Sequence, residues 1–161
     1  KYFSNKMGWE FEQPNFENIA DLNKSTKETY SIRIDNHASG SADILYVNPI
    51  LCERLGENPF TADDRRYPIN YSKTFESIYM SRITVPDGYI VEEIPAPLVI
   101  KLPDNSAKYT YSITKNNNVL SILSHFKIGK TLYVQSEYLQ LKELYNQVVA
   151  KQAEQIVLKK K

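Results

Sequence analysis

Residues 58–97 read NPFTADDRRYPINYSKTFESIYMSRITVPDGYIVEEIPAP, and this stretch decides the fold class. Prolines fix φ and remove a ladder donor, so Pro59, Pro68, Pro86, Pro95 and Pro97 bound strands rather than sit inside them. Between them, Phe75 to Val85 is a long strand-like run, and Tyr89–Ile94 and Leu98–Leu102 are shorter ones. Pro86-Asp87-Gly88-Tyr89 reads as a turn in which Pro86 presets the first central φ and Gly88 tolerates a positive one. Pro95 and Pro97 mark the strands around them as edge strands or as a strand that switches sheets. Long strands joined by stiff corners predict an all-β domain.

Upstream of this stretch, Lys27 to Asp35 alternates, with Tyr30, Ile32 and Ile34 on one side, the period-2 mark of a half-buried strand. A turn around Gly40 leads to a second strand, Ile44–Val47, and residues 50–66 form the longest candidate loop. Tyr67 to Tyr71 reads as a strand. Downstream, Tyr109, Tyr111 and Ile113 alternate with polar residues, Asn116-Asn117-Asn118 turns the chain, and Val119 to Phe126 returns as a hairpin. A further strand covers Thr131–Val134.

The period then changes. Tyr138, Leu141, Tyr145, Val148 and Gln152 recur at helical spacing, with Ser136 as N-cap and Glu137 in the first turn, predicting a helix over about 136–153. Ile156-Val157-Leu158 closes the chain as a short strand or docked tail. Strand spacing and turn signals together predict an antiparallel β-sandwich with one C-terminal α-helix over residues 27–161. Residues 1–26 read as an N-terminal arm or the end of a preceding segment, with Trp9 and Phe11 alternating and Phe16, Ile19 and Leu22 as anchors.

Composition bounds the function. The chain has 161 residues and is 42% hydrophobic, enough for one real core, and no run approaches a membrane span. A net charge of +1 argues against nucleic acid as a partner. The single Cys52 leaves no internal disulfide, and one thiol with two histidines gives no zinc pattern. Tyrosine is the outlier at 12 residues, a residue suited to half-buried sheet surfaces.

No catalytic, cofactor-binding or metal-ligating constellation emerges. Cys52 would need a His base and an orienting carboxylate or amide, and it lacks the flanking sequence of a papain-type nucleophile. Asp63-Asp64 beside Arg65-Arg66 reads as a solvated turn, and Arg66 beside Tyr67 and Pro68 as a group that holds a corner. The tyrosines are expected in cross-strand packing more than in a glycan-stacking platform.

With these residues in view, the chain resembles a C-terminal domain of unknown function that follows a transglutaminase-like domain in large bacterial proteins, mostly of the Bacteroidetes type. The resemblance is carried by Leu45-Tyr46-Val47-Asn48-Pro49, Asn58-Pro59-Phe60, Arg66-Tyr67-Pro68-Ile69, Val85-Pro86-Asp87-Gly88-Tyr89 and Val91-Glu92-Glu93-Ile94-Pro95. It continues through the Tyr109–Tyr111 hairpin, Glu137-Tyr138, Leu141-Lys142, Tyr145 and Ile156–Lys160. It implies a non-catalytic accessory sandwich at the end of an exported, periplasmic or cell-surface protein, whose papain-like Cys-His-Asp domain lies upstream. No catalytic residue carries over. A free-standing carbohydrate- or peptide-binding module is the alternative.

Overall fold

The computed structural model describes residues 9–13, 15–29, 31–35 and 37–161. They fall into two compact units, one ending at His37 and one running from Ala38 to Lys161.

In the first unit, β1 (Trp9–Phe11) pairs with β4 (Ile32–Ile34), and β2 (Asn15–Glu17) pairs with β3 (Lys27–Thr29), both antiparallel. The single strand expected over Lys27–Asp35 is therefore two short strands with different partners, and Tyr30 lies outside the described residues. These pairings explain why the compact division falls after His37 rather than before Lys27. Alternation predicts burial only where a further layer covers the ribbon, and two-stranded ribbons bury little. Phe16, Ile19 and Leu22 accordingly stand 45%, 67% and 98% exposed instead of serving as anchors.

The second unit contains, in chain order, β5 (Ser39–Gly40), β6 (Ile44–Val47), β7 (Ile69–Asn70), β8 (Phe75–Thr84), β9 (Tyr89–Glu93) and β10 (Leu98–Lys101). There follow β11 (Ala107–Asn116), β12 (Val119–Ile128), β13 (Leu132–Tyr133), α1 (Tyr138–Ala153) and β14 (Ile156–Lys160). One four-stranded sheet has the order β10-β11-β12-β8 and the other β5-β6-β14-β9, while β7 and β13 form a two-stranded ribbon. Every pairing is antiparallel. The inner faces of both sheets and the apolar stripe of α1 share one core, in which Tyr109, Tyr111, Leu120, Tyr133, Leu141 and Val148 have no exposed surface. The fold is mainly β, an antiparallel sandwich with one C-terminal helix.

The proline-rich segment does what its composition dictates. β9 is the edge of one sheet and β10 the edge of the other, so the chain changes sheets across Pro95-Ala96-Pro97, with Pro95 buried at the crossing. The Tyr89 N–H donates to the Pro86 carbonyl at 3.2 Å and Gly88 has φ +86°. Pro86 thus opens the turn at its first corner rather than its first central position. The hairpin turns through Asn117, at φ +53°, where Asn tolerates the left-handed region.

Other elements differ from expectation. Only Ile69–Asn70 of the Tyr67–Tyr71 run pairs, and Tyr67 is 79% exposed. Ser136 does not cap α1. A 3-10 turn over Gln135–Glu137 precedes the helix, and the Glu137 carboxylate accepts the Val134 N–H at 2.9 Å. The closing β14 is a central strand between β6 and β9, not a docked tail, so even the Lys160 and Lys161 N–H groups donate, to the Asp43 and Gly88 carbonyls.

Candidate functional site

The long loop before β7 is fastened to α1 by the residues that the sequence singles out. The Asn58 side chain donates to the Lys142 carbonyl at 2.9 Å and to Asn146 Oδ1 at 2.7 Å, and its Oδ1 accepts the Phe60 N–H at 2.8 Å. Pro59 lies exposed in the same turn, while Phe60 is buried and meets Tyr138 and Tyr145 edge-on at 6.0 and 5.0 Å. The Tyr138 hydroxyl and the Lys142 ammonium both donate to the Ala62 carbonyl, at 2.6 and 2.8 Å. Further along, Tyr89 donates to the Ala42 carbonyl at 2.8 Å, tying β9 to the β5–β6 turn. These are fastening contacts.

Gln152, which helical spacing alone marks only as a member of the α1 stripe, is a further fastening residue. Buried on α1, its Oε1 accepts the Leu55 N–H at 2.7 Å, and its Nε2 donates to Ser124 Oγ at 3.3 Å. Ser124 also meets the Tyr109 hydroxyl at 3.2 Å. A polar residue on an otherwise apolar stripe was the available signal. Such a group stays buried only when its bonds are made.

Most of the described tyrosines are buried or packed against the core. Rings of Phe60, Tyr145, Phe126, Phe75, Tyr71 and Tyr133 follow one another at edge-on contacts of 5.0 to 5.9 Å. Burial pushes the hydroxyl pKa values of Tyr71, Tyr109, Tyr111 and Tyr145 above their ordinary value and holds that of Tyr133 up at about 12. Among the described residues only Tyr46 and Tyr67 have largely exposed rings, so no aromatic platform for sugars is formed on the described surface. The Lys130 ammonium, hydrogen-bonded to Glu137 at 2.5 Å, holds that carboxyl below the usual range.

Two concavities lie on opposite faces of the β10-β11-β12-β8 sheet. The inner one, about 170 Å³, is bounded by Ile50, Leu55, Phe126 and Tyr145 and floored by the Ser124–Gln152 pair. Its rim carries Glu53, at φ +56°, outside the region that most side chains prefer. The outer one is a shallow depression of about 420 Å³ lined by Met80, Arg82, Ser112, Thr114, Ser121 and Leu123. Around it the outer face carries exposed apolar residues, with Met80 at 74%, Val99 at 59% and Ile78 at 55%.

Of the candidate reactive groups in the second unit, Cys52 and His125 do not converge. Cys52 is partly buried in the loop on the inner side of this sheet, whereas His125 stands on its outer face with Nε2 2.6 Å from Glu76 Oε1. His37 belongs to the first unit. Asp63 is fully exposed and 3.5 Å from Lys142 Nζ, a solvated pair. Arg65, not Arg66, holds the corner: its Nε donates to the Tyr67 carbonyl at 3.0 Å, and Arg66, Tyr67 and Pro68 are exposed. Among the described residues no group of three His, Cys, Asp or Glu side chains is placed to hold a metal ion, and no helix is long and apolar enough to cross a membrane.

Fold and surface define an antiparallel sandwich domain fastened by a C-terminal helix. The chain belongs to DUF3858, described as a domain of unknown function with a solved structure, which it matches over residues 43–158. It is also similar to a crystal structure described as a "putative protease" from Parabacteroides distasonis, with TM-score 0.53 and 15% identity. That likeness covers 62% of this chain and 19% of the other, so this chain spans about a fifth of the length of that protein. No curated protein matches the chain.

Proposed function

We propose that this domain is a non-catalytic accessory module of a larger exported, transglutaminase-like protein, supporting or orienting a papain-like catalytic domain or its substrate. The observation that carries the reading is the coverage: a fold matching most of this chain recurs as a minor part of a much longer protein described as a "putative protease". The sequence resemblance adds the transglutaminase-like neighbour and a periplasmic or cell-surface location. Of the alternative, a free-standing carbohydrate- or peptide-binding module, the carbohydrate half loses its carrier, since most described tyrosines pack inward.

The test compares the native polypeptide with the same polypeptide lacking residues 38–161. Labelling of the catalytic thiol is expected to survive the deletion, while turnover of protein substrates falls. Unchanged turnover would remove the support role, and absence of any reactive thiol upstream would remove the catalytic neighbour.

A further inference from the structure

The outer face of the β10-β11-β12-β8 sheet is ordered by register into rows. Lys101 pairs with Lys108, Lys108 with Lys127, and Lys127 with Glu76, so three ammonium groups stand side by side at one end. Like charges directly across strands are unfavourable, and none of these lysines has an ion pair among the described residues. Glu76, the one carboxylate of the row, is taken by His125 at 2.6 Å. Edge protection accounts for Lys101 on β10, but Lys108 and Lys127 lie on the two inner strands. The next two rows are mixed, Val99-Thr110-His125-Ile78 and then Ser112-Leu123-Met80, with the apolar members Val99, Ile78 and Met80 exposed, and beyond Met80 stands Arg82. A centre that exposes Val99, Ile78 and Met80 among neutral polar groups, with cations at both ends, fits a surface that is partly apolar in the middle and acidic at its rim.

Size selects the kind of partner. Four strands span about 14 Å, and the stretch from Glu76 to Thr84 about 27 Å, giving about 400 Å². Counting both partners gives about 800 Å², below the roughly 1,200–2,000 Å² of stable free complexes but within the range of interfaces between domains of one chain. We infer that this outer face docks the acidic-rimmed surface of the neighbouring domain in the longer chain. The inference rests on the accessory-domain reading and names the face that performs it.

Zero-length carbodiimide cross-linking of the native polypeptide, read by mass spectrometry, tests it. The expected result is Lys101, Lys108 or Lys127 joined to carboxylates of the preceding domain. Met80→Asp, at an exposed position and with the fold checked by circular dichroism, should lower those cross-links about tenfold, the equivalent of about 1.4 kcal/mol. Cross-links to that domain from other lysines alone would overturn the inference while leaving the accessory reading in place. So would cross-links from the three lysines only to residues 9–37, or no change on Met80→Asp. A native polypeptide without a preceding domain would overturn both.

Discussion

Alkaline titration should unfold this domain cooperatively. Tyr109, Tyr111, Tyr133 and Tyr145 are at most 4% exposed, and burial raises each hydroxyl pKa above its ordinary value. Tyr111 Oη has no hydrogen-bond partner among the described residues, so a tyrosinate there would meet no donor. Each group holds its proton more tightly in the folded state. Stability is therefore complete below pH about 10, the unfolded tyrosine value, and falls as the pH rises above it. The slope is at most about 1.4 kcal/mol per pH unit for each group, and each contributes only up to its own folded pKa. Tyr133 stops contributing near 12, where its folded pKa lies. A domain at the lower end of the roughly 5–15 kcal/mol range should then unfold above about pH 11. Far-ultraviolet circular dichroism and tyrosinate absorbance followed in one titration provide the assay, and both should change in a single step. Ionisation of the core tyrosines while the circular dichroism stays native would refute the reasoning.

Four substitutions probe the packing. Leu141→Ala on the fully buried stripe of α1 should cost about 2–5 kcal/mol in urea unfolding, and a loss under about 0.5 would show that the helix is peripheral. Gly40→Ala should lower Tm more than Gly88→Ala. Both glycines have positive φ, but a Cβ at Gly40 would lie 2.2 Å from the Ile44 carbonyl oxygen, whereas nothing lies within 4 Å at Gly88. Equal losses would refute the close-approach argument. Gln152→Ala strands the Leu55 N–H and should cost about 1–3 kcal/mol, with faster amide exchange at Leu55; unchanged exchange there would contradict the fastening role.

The second unit was largely legible because its signals are local and mutually consistent. Alternation from Tyr109 to Ile113, the asparagine turn and the prolines around Ala96 each act over a few residues and agree with the sheet that forms. Less is legible where the outcome depends on a partner far along the chain. Lys27 to Ile34 alternates as cleanly as a core strand, yet its segments pair with β2 and β1 in small ribbons that cover little. Ile156–Leu158 has no local signal of centrality; β6 and β9 arrive on either side of it from distant positions. The lysine row was hidden for the same reason, because Lys101, Lys108 and Lys127 become neighbours only through strand register.

The central claim is that this domain works as part of a longer protein. The most direct measurement is the intact mass of the native polypeptide that carries residues 38–161, isolated from the source cells with an antibody to that unit. The account predicts a chain several times longer, with a transglutaminase-like domain before this one. A native polypeptide with no further domain would contradict it.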